Sequence, residues 1–167
     1  MMLSDESGSL IKIIFLLGFT LHNFEEAVWL PGWSKYAKKF HKPVETNQFI
    51  FAVLFVTIFG YLLTALDIIF GSTVSLVNYI YLGFVGMMGI NAIFPHLLST
   101  IVLKRYAPGL ITALLLNLPF SVFIIFQSID RGIDPLCVLA AIILVSILAV
   151  LSLRPLFKLG AILLHVQ

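Results

Sequence analysis

The sequence predicts an all-α polytopic membrane protein, a compact bundle of five transmembrane helices with a short amphipathic helix on the inner leaflet after the first. Three observations predict it. Of 167 residues, 60% are hydrophobic and only 11% are charged, whereas a soluble domain is roughly half apolar and about a quarter charged. Mean hydropathy is +1.10, more apolar surface than a fold of this size can hide from water, so the solvent is lipid. The apolar residues also fall into five segments, each near the roughly twenty residues that cross a hydrocarbon core.

The segments run over 10–30, 47–70, 74–103, 108–127 and 135–153. The first ends at Pro31-Gly32 and the second at Gly71-Ser72. Lys104-Arg105 stop the third, Pro108 opens the fourth, and Pro135 and Arg154-Pro155 bound the fifth. Proline at a helix start and glycine or proline past its end are ordinary end signals. The second and third segments, and the fourth and fifth, are joined by very short turns, so they are antiparallel neighbours. No repeat or polar domain interrupts the chain, and residues 1–167 read as one integral membrane domain. The N-terminus has Asp5 and Glu6 where a cleavable signal has basic residues, so the first segment is expected to be retained.

Basic residues fix the expected orientation. Lys12 and Arg131 lie on the side of the N-terminus. Lys35, Lys38, Lys39, Lys42, Lys104, Arg105, Arg154 and Lys158 lie on the other. The bias predicts a protein of the cytoplasmic membrane with its N-terminus outside and its C-terminus inside. In WSKYAKKFHK, Trp33, Tyr36, Ala37 and Phe40 share one helical face and the four lysines the opposite one. An amphipathic helix against anionic headgroups fits that pattern, and so does an ordinary basic loop. No basic patch interleaved with aromatics points to nucleic acid. The expected partners are membrane lipids. Cys137 is the only cysteine, which excludes an internal disulfide and a multi-cysteine metal site; its apolar setting predicts a small buried side chain.

The chemistry concentrates in GFTLHNFEEAVWLPGW. His22 and Glu26 are four residues apart on one helical face, and Glu25 flanks it. At about 100° per residue the three span an arc of about 100° and can face one site. An ionised carboxylate near a span centre costs about 2.5–3.5 kcal/mol on insertion scales. All the lysines and arginines lie in loops or at segment ends, so protons, a metal ion or hydrogen-bond donors must compensate. Asn91 and His96 of the third segment lie at similar depth, with Pro95 between them to kink the helix. Asn117 of the fourth lies near mid-depth. Thr57, Tyr61 and Thr64 can line the same interior, and Gly83, Gly86 and Gly89 form a small face for close packing. Asp67 reads as a separate interfacial charge, and His41 and His165 as interfacial.

Three readings of this cluster stay open. His22, Glu26 and His96 make a metal site for zinc, iron or manganese, with Glu25 as general base. Without metal, His22 and the two glutamates exchange protons as acid and base. As a third reading, the group is a hydrogen-bond network that fixes helix register. The spacing is neither that of the zinc proteases nor the paired E-x-x-H of di-iron bundles.

His22-Asn23-Phe24-Glu25-Glu26 resembles the signature of the HXXEE family, small bacterial membrane proteins named for that motif. The family's later features, an asparagine-to-histidine pattern and a proline-glycine pair, match Asn91 to His96 in NAIFPH and Pro108-Gly109 in RYAPGLITALL. The resemblance covers the first to the fourth segment. It implies a shared site and, the family being of uncharacterised function, names no reaction.

The expectation is therefore a polar pocket lined by His22, Glu25, Glu26, Asn91 and His96, with Asn117 nearby. An enzyme acting on a lipophilic small molecule, such as an isoprenoid or sterol-like compound, fits it best. A proton- or cation-coupled carrier is the alternative from another class and requires a homodimer. A non-catalytic assembly protein is the third.

Overall fold

The computed structural model describes the backbone of residues 2–39 and 42–164, and side chains within these from Ser7 onward. Phe40, His41 and His165 lie outside the described residues. Among the described residues, five helices are long and apolar enough to cross a membrane: α1 (Met2–Ser34), α2 (Thr46–Phe70), α3 (Ser75–Leu103), α4 (Leu110–Asp130) and α5 (Pro135–Leu164). The described residues hold no strand.

Two ends differ from the sequence expectation. α1 continues through Pro31 to Ser34, and α5 through Arg154 and Pro155 to Leu164. A proline forfeits one backbone hydrogen bond, and packing outweighs that loss at both places. Pro31 is buried, and its carbonyl accepts the Ser34 hydroxyl at 2.8 Å. The same hydroxyl accepts Val44 N–H at 3.0 Å, so Ser34 closes the helix and anchors the returning loop. Beyond Pro155, Leu156 and Gly160 are buried; a Cβ on Gly160 would stand 3.1 Å from the Phe51 ring of α2.

The amphipathic helix expected after α1 is absent among the described residues. Lys35–Ala37 form a single 3-10 turn that prolongs α1. Tyr36 faces outward under the Arg105 guanidinium, 3.8 Å from its ring centre. The lysine and aromatic pattern is that of a basic connection stacked on the α3–α4 connection.

The core lies where α1, α2 and α3 meet. The Phe84 ring takes Phe15 and Phe19 edge-on, with centroids at 5.7 and 5.1 Å. Gly60 of α2 leaves the space Phe19 fills, since a Cβ there would lie 2.5 Å from its ring. The glycine face of α3 serves two neighbours: Gly83 and Gly86 meet α5 at Ala141 and Ile142, and Gly89 meets Ser121 of α4. α5 buries few side chains, and Leu136, Val150, Leu151 and Ile162 point outward. Cys137 is also exposed, contrary to expectation, because apolar residues in such a helix face outward as well as inward.

Asp67 is not a separate interfacial charge. It is buried, accepts Lys12 Nζ at 2.5 Å and Asn78 Nδ2 at 2.9 Å, and so ties α1, α2 and α3 together. Lys12 is therefore inside the bundle wall, with 22% of its side chain exposed.

Two interruptions shape the opposite half. α3 breaks at Phe94 (φ −127°, ψ 117°), before Pro95, and passes through a wide turn over Ala92–Leu97, as a proline in a helix demands. α4 opens into a wide turn over Ala113–Asn117, just ahead of Pro119.

Candidate functional site

His22 and Glu26 project from successive turns of α1 as their spacing requires. The α3 break supplies the rest. In a regular helix Asn91 and His96, five residues apart, would diverge by about 140°. With the break between them, Asn91 Nδ2 lies 3.1 Å from His96 Nε2 and 3.1 Å from His22 Nε2. Glu26 Oε1 lies 3.2 Å from His96 Nε2 and 3.9 Å from His22 Nε2. The two imidazoles meet edge to face at 4.9 Å, and both are buried.

Gly109 closes the site from the α3–α4 connection. Its φ of +90° is a conformation L-residues rarely adopt, and a Cβ would stand 2.8 Å from Cε1 of both His22 and His96. Only glycine satisfies both conditions. The Gly109 carbonyl lies 3.1 Å from His22 Nδ1. A carbonyl only accepts, so Nδ1 carries the proton and the Nε2 lone pair faces the site. This is the arrangement in which an outer partner orients a ligating histidine.

The polar atoms do not all satisfy one another. Asn91 can donate to both imidazole Nε2 atoms. Glu26 Oε1, however, meets His96 Nε2 as acceptor against acceptor if that nitrogen accepts from Asn91. A hydrogen on His96 Nε2 or a metal ion between the two removes the conflict. One atom each from His22, Glu26 and His96 falls within 4.8 Å of the others. Ligands about 2.0–2.1 Å from a tetrahedral ion lie roughly 3.3 Å apart; Glu26 and His96 already stand at that spacing, and His22 would have to approach them by about 0.6–1.5 Å.

A cavity of about 460 Å³ adjoins the cluster, between α1, α2, α3 and α5. Its polar wall is His22, Asn23, Glu26 and Asn91; the rest is largely apolar, including Phe19, Met87, Phe94, Val150 and Phe157. Its size is that of a small-molecule site. Asn23 is buried and donates to Thr57 Oγ1 at 2.8 Å, which fixes the α2 side of this wall.

Glu25 and Asn117 are not brought to this wall. Glu25 accepts hydrogen bonds from the Tyr106 hydroxyl and from Thr112 Oγ1, the latter at 2.8 Å. It faces the α3–α4 connection instead of standing beside the cluster as a base. Tyr106 lies between the helices, and its phenol is pushed above the ordinary value by desolvation first and by its bond to Glu25 second. Asn117 is wholly buried near Gly18, with neither amide atom hydrogen-bonded. Of the other polar candidates, Thr64 bonds back to the Gly60 carbonyl, and Tyr61 is exposed and pairs with Thr20 at 3.1 Å.

Sequence reasoning missed Tyr106 and Thr112. The only pointer was their place around Pro108-Gly109, three residues before and after the glycine.

Residues 13–124 match the family described as "Protein of unknown function with HXXEE motif". The chain is also similar to "Uncharacterized protein YrkK" of Bacillus subtilis (strain 168), 45% identical over 147 residues, covering 87% of this chain and 92% of that relative. No solved structure matches it.

Proposed function

The chain belongs to the HXXEE-motif family, whose function is unknown, and from that premise and the cluster we propose that it is an intramembrane enzyme acting on a lipophilic small molecule at a metal ion held by His22, Glu26 and His96. One observation carries the reading. Three lone-pair atoms converge within 4.8 Å at the edge of a largely apolar cavity of about 460 Å³. Imidazole and carboxylate donors suit zinc, iron or manganese. The ion would act as a Lewis acid or activate a water. The chain's own groups divide the remaining tasks. The Gly109 carbonyl holds His22 in the ligating tautomer, Asn91 and Asn23 offer hydrogen bonds to a polar substrate group, and the apolar walls receive its hydrocarbon part. The basic-residue bias supports the N-terminus outside the cytoplasmic membrane and the cavity in its inner half, where a lipid-borne substrate enters sideways.

A second reading is favoured by the 3.2 Å approach of Glu26 Oε1 to His96 Nε2, a hydrogen-bond distance as it stands. In it Glu26 and His96 share a proton and act as acid and base without metal. A coupled carrier would need polar groups leading to the far end, and there Lys12, Asp67 and Asn78 bind one another.

Metal analysis of protein purified without chelator separates the two. The metal reading expects one equivalent per chain, lost in His22→Ala and His96→Ala. An ion present at about 100 times its Kd stabilises by about 2.7 kcal/mol, so chelation should lower the Tm by roughly 5–11 °C at about 2–4 °C per kcal/mol. Absence of stoichiometric metal, with a Tm indifferent to chelator and to added zinc, iron or manganese, would overturn it.

A further inference from the structure

We propose that Glu25 is a positioning residue that sets the direction of the Thr112 hydroxyl proton and thereby holds His22 in the tautomer whose Nε2 is open to the site. The inference deepens the function proposed above, and depends on it only for its metal readout.

Both carboxylate oxygens of Glu25 are engaged by one stretch of chain. Tyr106 donates to Oε1, and Thr112 Oγ1 donates to Oε2 at 2.8 Å. Tyr106 in turn accepts Ile111 N–H at 3.3 Å, so the ring is held at both sides of its oxygen. Thr112 has a single hydroxyl proton and three neighbours within reach. These are Glu25 Oε2, the Gly109 carbonyl at 3.1 Å and His22 Nδ1 at 3.3 Å. A carboxylate is the strongest acceptor of the three, so the proton goes to Glu25. The lone pairs of Thr112 and the Gly109 carbonyl then both face His22 Nδ1, and that nitrogen must be the one carrying hydrogen. Its Nε2 is left as a lone pair toward Asn91, His96 and Glu26.

Without Glu25 the hydroxyl is released. Its proton is then shared between the Gly109 carbonyl at 3.1 Å and His22 Nδ1 at 3.3 Å. Whenever the hydroxyl donates to Nδ1 it competes with the bond from Nδ1 to the Gly109 carbonyl and shifts part of the population to the tautomer with hydrogen on Nε2. The two adjacent glutamates of the motif thus have separate tasks, Glu26 in the cluster and Glu25 behind it. Their bearings on α1 differ by about 100°, which turns one toward α3 and the other toward the start of α4.

The ¹⁵N shifts of His22 test this in ¹⁵N-histidine-labelled full-length protein, in detergent and free of metal, at a fixed pH where the ring is neutral. Wild type and Thr112→Val should both show hydrogen on Nδ1. Glu25→Ala should move population to the Nε2–H form, and Glu25→Ala/Thr112→Val should restore the wild-type signature. A role limited to fastening the loop would not be restored by removing a second hydrogen-bonding group. Should Glu25→Ala not fold, Glu25→Met carries the same expectation. A wild-type tautomer in the single variant, or no restoration in the double, overturns the proposal. Titration with Co²⁺ adds a second readout. Affinity should fall about 10- to 100-fold in Glu25→Ala, the usual loss for an outer partner of a ligand, and return in the double variant. If wild type binds no Co²⁺, the metal reading fails while the ¹⁵N measurement still decides this one.

Discussion

Gly109→Ala is the most searching single test of the site's construction. Two costs arise at once. The backbone at φ +90° strains an L-residue by about 1–2 kcal/mol. The new Cβ would also stand 2.8 Å from both imidazoles, and neither ring can turn away freely. His22 is bonded to the Gly109 carbonyl and Asn91, and His96 lies against Asn91 and Glu26. Overpacking of this kind costs about 1–3 kcal/mol, for a sum of roughly 2–5 kcal/mol. At about 2–4 °C per kcal/mol for a chain of this size, the Tm should fall by roughly 4–20 °C. Gly132 is an internal control. Its φ is +94°, yet a Cβ there meets nothing within 4 Å, so Gly132→Ala carries strain alone, about 1–2 kcal/mol. Thermal unfolding of both variants in the same detergent isolates the steric part. His96→Ala introduced into Gly109→Ala should recover some of the loss, with a coupling of about 0.5–3 kcal/mol. Equal Tm values for Gly109→Ala and Gly132→Ala would refute the claim that Gly109 is fitted against the two histidines.

Two further outcomes are expected. Asp67→Ala removes the buried partner of Lys12 and should cost about 3 kcal/mol, the low end for a broken buried pair, because 22% of the Lys12 side chain reaches solvent. The double variant Lys12→Met/Asp67→Leu should recover most of that loss, and equal Tm values for the single and double variants would argue against a clamp. Asn117→Leu should raise stability. Both amide atoms of Asn117 are buried without partners, a state that costs about 1–3 kcal/mol. A lowered Tm would show that Asn117 has a partner in the folded protein.

What the sequence revealed follows from what each signal measures. Apolar run length located the five helices, because it reports the thickness they are built to cross. It misplaced the ends of α1 and α5, because Pro31 and Pro155 stop a helix only where packing does not hold it. The pairing of His22 with Glu26 was legible, being set by helical pitch alone. The approach of His96 to Asn91 was not. Pro95 announces a break, but the rotation it leaves depends on what α4 packs against it. The adjacent glutamates read as one group, yet neighbours on a helix look in different directions. The Lys12–Asp67 pair was hidden because it requires the relative heights of two helices, which no local pattern encodes.

The bond from His22 to the Gly109 carbonyl joins residues 87 apart, and this separation has a consequence for the order of events during synthesis. At roughly 5–20 residues per second, His22 leaves the ribosome about 4–17 s before the residue that orients it. Thr112, which receives Glu25, follows later still. If the chain is inserted as it is made, α1 reaches the membrane with its two carboxyl groups and its imidazole unattended. His22 and Glu26 meet Asn91 and His96 only when the third helix arrives, and Glu25 meets Thr112 only with the fourth. The interval is long enough for the insertion machinery to shelter the first helix, and a ribosome stalled before residue 109 should leave α1 more easily extracted than the finished protein does.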